Sequence, residues 1–553
     1  MITAVPKEIC LLVLFLSSSS VFSQTYHFAA HGGGSKKDEF LDFKIDNAEN
    51  SYVLLKYDTN VAFGDESYSH PSKNALIVKY DKDGNQLMTK NIVAEGSSLF
   101  GAIGVSGAGI VVAATGTKLG MLDTHEVYGG TFIGKLGEDG DFEWVLQPVD
   151  RIEGARQFTE FRVTAIEVTE NEIYVAATAN GKITLNGVTD PGYAHDNLQS
   201  ALLIKMDMDG DVLWIKNIPT PGVANHPTID GGMDHILLSA DGQNVYVAGK
   251  VGNGSYNPYE VAYVAKFSTD GTFSWVKKTS SSGADSWGIA EASNGDLISG
   301  FGIGGAQLID FGDGAELQPS STGWYGALVR FDKDGNVQVL KYVADALYSD
   351  AGNIGATLRL YHVSVSPNDQ VIILGEIGGT HAFTNDIEIT STAGMAGSSS
   401  KDAAIIISDL DFIPVEAYAN TGGNNESARK GVAKGDRIYY SGEYDSYSHP
   451  YFGSFNAQFG DFTFASAGNL DIFVASVGIE SLSSLPELRL NITTQANALS
   501  LFWPSTYSNV VVEFTSNLSS NSWDTLNLSP ILENDQWKLT LPVNISPRFY
   551  RLR

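Results

Sequence analysis

The chain has 553 residues, with 64 acidic against 35 basic side chains, a net charge of -29 and a pI near 4.6. A field of that sign repels nucleic acid and anionic membrane surfaces, so neither is an expected partner. A content of 43% hydrophobic and 11% aromatic residues excludes a disordered acidic tail and argues for a folded core.

The first predicted segment is a signal peptide over residues 1–23. Lys7 precedes an apolar run from Ile9 to Leu16, and Val21-Phe22-Ser23 precedes Gln24 as a cleavage pattern. The run is too short for a membrane span, and no later stretch supplies a transmembrane segment. Cys10 stands ahead of most of the apolar stretch, whereas a lipid-anchoring cysteine would follow it. Its removal leaves no thiol, which excludes disulfides, Cys-ligated zinc and Cys nucleophiles. The expected location is secreted, at the cell surface or in the periplasm.

Between Leu41 and Val477 one motif recurs seven times, in residues 24–480. In the first copy, residues 41–45 (LDFKI) alternate with the period of a half-buried strand, and Asp46-Asn47 opens a turn. A second strand follows in residues 51–55 (SYVLL), and a loop leads to a third in residues 75–80. The turn Asp81-Lys82-Asp83-Gly84-Asn85 then returns the chain as a fourth. A unit of four strands cannot bury both faces alone, so the copies must stack, and closure into a ring removes the exposed edges. The fold class is therefore all-β: a seven-bladed β-propeller followed by a small β-sandwich. The seventh copy lacks a fourth strand, which residues 26–30 (YHFAA) are expected to supply from the chain's beginning. Trp144, Trp214 and Trp275 each stand four residues after a turn glycine (Gly140, Gly210, Gly271), a fixed offset that predicts packing between blades.

The units resemble the bacterial seven-bladed propeller repeats called SBBP repeats, whose hallmark run is seen in residues 241–249 (DGQNVYVAG) and 264–267 (VAKF). That resemblance implies the fold and little about function. Copies six and seven depart from it by losing the Lys and the turn Gly. Residues 485–553 change pattern to short strands with Ser/Asn-rich turns, which suits an immunoglobulin-like or fibronectin-III-like sandwich. They are similar to C-terminal sandwiches of large secreted bacterial proteins, where an "LxWP" and a final "FYRLR"-type strand recur; export sorting or attachment is one implied use, and a spacer or cap is the other.

For chemistry, three turns read Asp-x-Asp-Gly-Asn/Asp, at Asp81, Asp207 and Asp332. Without the longer frame and distal Glu of a calcium loop they are read as hairpins in preference to calcium sites, and no cofactor is expected. Residues 268–275 nearly match the Asp-box of sialidase-like propellers, but Thr272 stands where the box has glycine. The loops between second and third strands carry the candidate ligand-binding residues Tyr68, His70, Tyr193, His195, Tyr256, Tyr447 and His449. Residues 67–71 (SYSHP) recur identically as residues 446–450, in copies that become neighbours on closure. In such a blade these loops open on one face of the disc, where tyrosines suit sugars or peptides. The reading is a non-catalytic monomer binding an extracellular glycan or protein. A propeller hydrolase or lyase acting on polysaccharide or peptide, and a structural cell-envelope protein, are the alternatives.

Overall fold

The computed structural model describes residues 24–552 apart from loop segments, chiefly 93–99, 149–160, 191–198, 219–229, 253–260, 344–356, 392–400, 480–490 and 505–511. The described residues form strands and turns and no helix, and none is part of a helix long and apolar enough to cross a membrane. Among the described residues, six antiparallel four-stranded sheets follow one another in chain order and a six-stranded sheet joins the two ends of the series. Their first strands are Glu39–Ile45, Gly101–Ser106, Phe161–Val168, Asp230–Leu238, Ala284–Glu291, Thr357–Val365 and Glu426–Lys434. These first strands touch in cyclic order, the last meeting the first, so the units surround an axis and the fold is a β-propeller.

The second strand of each unit explains why the units stack. In Ser51–Tyr57 every residue is buried, because both faces of the sheet are covered. Val53 and Leu55 join Phe28, Tyr439, Ile472 and Val474 of the seventh unit, while Tyr52 and Leu54 join Ile103, Val112 and Phe132 of the second. The apolar core is thus divided into clusters that each lie between two neighbouring units.

The seventh unit takes its outer strand from the other end of the chain. Gln24–Gly33 runs antiparallel to Asp471–Ile479, from Gln24 opposite Ile479 to Gly32 opposite Ile472. Gly32 and Gly33 then pair with Phe63 and Ala62 of a hairpin, Asn60–Phe63 with Glu66–Ser69, that leaves the first unit. The seam is therefore stitched twice, once by the strand and once by the hairpin.

Turn glycines carry the repeat's packing rule. An added Cβ on Gly210 would lie 2.9 Å from the Trp144 ring, on Gly271 3.1 Å from Trp214, and on Gly335 2.9 Å from Trp275. Each tryptophan therefore covers the turn of the next unit, as its offset predicts, and each glycine takes a positive φ that suits the same position. The repeat's lysine caps the same turn: Lys205 Nζ donates to the Thr269 carbonyl at 2.9 Å and Lys266 Nζ to the Lys333 carbonyl at 3.0 Å.

Near the C-terminus, Asn491–Gln495, Ala498–Pro504, Gln536–Pro542 and Ile531–Glu533 form one sheet, and Asp524–Thr525, Val512–Thr515 and Phe549–Leu552 a second. Leu501, Trp503, Leu539 and Leu541 of the first pack with Val512 of the second in one buried cluster.

Candidate functional site

Six of the seven axial strands carry a β-bulge at the same place; Gly101–Ser106 alone is regular. The bulge inserts one residue and re-aims its neighbours. The inserted residues are Leu41, Thr164, Asp234, Trp287, Tyr361 and Arg429, and those that follow include Asp42, His235, His362 and Lys430. The repeat's most chemically varied positions are therefore gathered along the axis.

The groups after the bulges tie neighbours together. Asp42 pairs with Lys430 across the closing seam, and its other oxygen accepts the Ile103 N–H at 2.9 Å. His235 donates to the Ser286 carbonyl and His362 to the Gly431 carbonyl. The two imidazoles lie 6.4 Å apart between ring centres. Desolvation first, then Lys430, holds His235 down at about 3 and His362 well below the usual histidine range, so both rings are neutral at neutral pH. Lys44 pairs with Glu167 in the same region.

The inserted residues of units six and seven make a second layer. The Arg429 guanidinium lies 4.1 Å from the centre of the Tyr361 ring, a cation–π contact. Its Nη2 donates to Glu443 at 2.7 Å, and Glu443 accepts the Phe40 N–H at 3.0 Å. Burial opposes the charge on Arg429 and Glu443 overrides it; burial pushes the Tyr361 hydroxyl up to about 12. Glu376 is shared by Lys401 and, at 3.9 Å, by Arg359, whose side chain is 55% exposed. Two carboxylates thus face three cations, and the accessible one is Arg359. Glu376 and Glu443 lie toward the ends of their second strands, Val371–Gly378 and Arg437–Tyr444, from which the chain leaves for the loops to the third strands.

Of the candidate loop residues, Tyr68 is half-buried and its hydroxyl bonds Glu66 and Thr89 of its own unit. The His70 N–H donates to the Thr59 carbonyl at 2.7 Å. Tyr193, His195, Tyr256 and Tyr447 lie outside the described residues. His449 is in a short strand, Ser448–His449, opposite Gly453–Ser454, whereas Ser67–Ser69 belongs to the hairpin stitched to the seam. The two identical pentapeptides share a position in the connection order and differ in pairing. The first carboxylate of each acidic turn is engaged within its turn: Asp81 Oδ1 accepts the N–H groups of Asp83 and Asn85 at 2.9 and 2.8 Å, and Asp207 and Asp332 do the same.

Other strongly shifted carboxyls sit at seams. Asp38 and Asp471 flank the closing seam, where the Asp38 N–H donates to Leu470 O at 2.8 Å; Glu426 and Asp402 occupy the equivalent places one unit earlier, with Glu426 N–H on Lys401 O at 2.8 Å. Burial raises Asp38 to about 8 and Asp471 to about 6, and burial then Asp402 raise Glu426. Among the described residues no group of three or more His, Cys, Asp or Glu is placed to hold a metal ion.

No family model and no curated protein matches this chain. Among solved structures it is similar to BamB from Moraxella catarrhalis, at 9% identity and a TM-score of 0.34 over 82% of this chain and 100% of that one. A puromycin hydrolase is similar at 11% identity and a TM-score of 0.42, over 85% of this chain and 59% of that one. A phage phi92 endosialidase is similar at 10% identity and a TM-score of 0.37, over 86% and 72%. The chain thus spans less than two thirds of the hydrolase.

Proposed function

We propose that this chain is a secreted, monomeric, non-catalytic propeller of seven SBBP-type blades that binds an extracellular glycan or protein on the face formed by the loops between second and third strands. The C-terminal sheets act as an immunoglobulin-like or fibronectin-III-like sandwich for attachment or spacing. The observation that carries the reading is the layer of Arg359, Tyr361 and Arg429 at units six and seven, where an exposed guanidinium stands beside an aromatic ring already held in place by Arg429. Guanidinium and tyrosine together suit hydroxyl-rich or acidic ligands, and a pre-ordered ring lowers the entropy lost on binding. Tyr68, His70, Tyr193, His195, Tyr256, Tyr447 and His449 rim this face in the proposal.

Against the catalytic alternative, the shifted histidines bond backbone carbonyls of other units and the shifted carboxyls sit in seams, which supports structural duties. A glycan array and an extracellular-protein panel, probed with wild type and Arg359→Ala, test the proposal. Captured ligands should bind about tenfold or more weakly to the variant, as expected for loss of a charge-assisted hydrogen bond. Equal capture by both proteins, or turnover in a hydrolase substrate panel, overturns it.

A further inference from the structure

The end of the axis at which the first strands begin, and from which the second strands leave for their loops, gathers guanidinium groups in a molecule of net charge -29. Arg162 and Arg359 hold the same position in the first strands Phe161–Val168 and Thr357–Val365, two residues before the inserted Thr164 and Tyr361, in units three steps apart around the ring. Phe100 stands just ahead of the regular strand Gly101–Ser106 and is 42% exposed. The Arg162 guanidinium lies 4.3 Å from the centre of the Phe100 ring, as that of Arg429 lies 4.1 Å from the centre of Tyr361. Two stacks of guanidinium on aromatic ring, each made by neighbouring units, therefore stand at different places on one axial mouth, and Arg359 is beside the second.

Carboxylates at this end are already matched by cations. Glu376 is held by Lys401 more closely than by Arg359, Glu443 by Arg429 at 2.7 Å, and Glu39 by Lys56 at 2.5 Å. Asp234, the residue inserted in the fourth unit, lies by the buried Tyr263. Arg359 is thus surplus positive charge, 55% exposed at its side chain. A guanidinium fork matches a planar carboxylate with two parallel hydrogen bonds, and an aromatic face beside it takes the apolar side of a ring. A uronic acid carries its carboxylate directly on the sugar ring, so the charge and the apolar face arrive together. An acidic peptide carries its carboxylates on flexible stems that lose rotamer freedom on binding. The overall charge repels a long polyanion, whereas salt confines the field of exposed groups to about 8–10 Å, so a short chain end suits the mouth better than a polymer.

We propose that the ligand is a short acidic oligosaccharide, with a uronate carboxylate on Arg359, its ring on Tyr361, and the Arg162–Phe100 stack as a second contact. This rests on the binding face proposed above and adds the chemistry of what it holds.

Titration calorimetry on the full chain, with trigalacturonate, its neutral methyl ester and triglutamate as probes, separates the carboxylate from the sugar frame and the sugar from the peptide. Trigalacturonate should bind about tenfold or more tightly than either of the others, as expected for a charge-assisted hydrogen bond. Arg359→Gln should bring acid and ester to equal affinity, and Arg162→Gln should weaken the acid about threefold or more. Should either variant fail to fold, the acid–ester comparison on the wild-type protein still decides. No binding of trigalacturonate, equal affinity for acid and ester, triglutamate binding as tight as the sugar acid, or an acid preference that survives both substitutions overturns the inference. Capture of a neutral glycan that Arg359→Gln weakens would overturn the acidic specificity and leave the binding face standing, so the two readings fail separately.

Discussion

Arg359, Lys430 and the axial histidines occupy strands whose alternation is otherwise easy to read, yet their roles were not legible in the sequence. Strand phase places Asp42, His235, His362 and Lys430 correctly only after the inserted bulge residue is counted, and the bulge leaves no composition signal of its own. The available clue was a charged or imidazole group at one strand position in four copies, Asp42, His235, His362 and Lys430, against Ala165 and Gly288 in two others, which reads as noise without a register. Tyr68 shows the converse: a loop tyrosine stands out in sequence, and the structure gives its hydroxyl to Glu66 and Thr89. At this scale the sharpest expectation concerns Lys430. Asp42 is 2% exposed, so Lys430→Met would leave a buried carboxylate without its cation. Breaking one half of such a pair costs about 3–5 kcal/mol. Urea unfolding should show a loss of that order, and a loss below about 1 kcal/mol would mean that water reaches the Asp42 carboxyl.

Among elements, the acidic turns and their partner strands were the most legible, because a fixed offset between glycine and tryptophan has one simple cause. The sixth copy looked worn, having lost its turn glycine, and the structure gives the reason. The turn position holds Phe412, buried and at φ 59°, and the residue that should cover it from the fifth unit is Val339 in place of a tryptophan. Small against large has been exchanged for large against small across one seam. Phe412→Gly should therefore relieve about 1 kcal/mol of backbone strain and lose about 3 kcal/mol of packing, a net loss near 2 kcal/mol. Val339→Trp should also destabilise by overpacking, and the double variant should regain most of both losses. A double-mutant cycle in chemical denaturation measures this; simple addition of the two losses would refute the complementarity.

For the whole molecule, the repeat made the propeller architecture readable, whereas the hairpin stitched to Gln24–Gly33 was not, because such hairpins recur between second and third strands, as at Gly120–Leu122 with His125–Val127, in sequences too short and varied to show a strand pattern. Stability should depend on pH from two directions. The axial histidines have folded pKa values below the free value near 6.5, so their contribution is present above that pH and is lost below it, that of His235 as pH falls toward about 3. Asp38 and Asp471 are raised, so theirs is present below about 3.8 and is lost as pH climbs through 6 and 8. Melting temperature should peak between about pH 4 and 6.5 and decline from there to pH 8. Asp38→Asn should flatten that alkaline decline, and an unchanged slope would assign it to other groups.

The closing strand also sets a clock. Gln24 finds Ile479 only after roughly 450 further residues have been made, which at synthesis rates of about 5–20 residues per second means a wait on the order of half a minute or more. Throughout that interval Phe28, later 4% exposed, has no seventh unit to cover it, and the first unit has no neighbour on one side. Any chain that stops short of Asp471 keeps that apolar strand on display, so the same ten residues that finish an intact ring mark an unfinished one for chaperones and proteases.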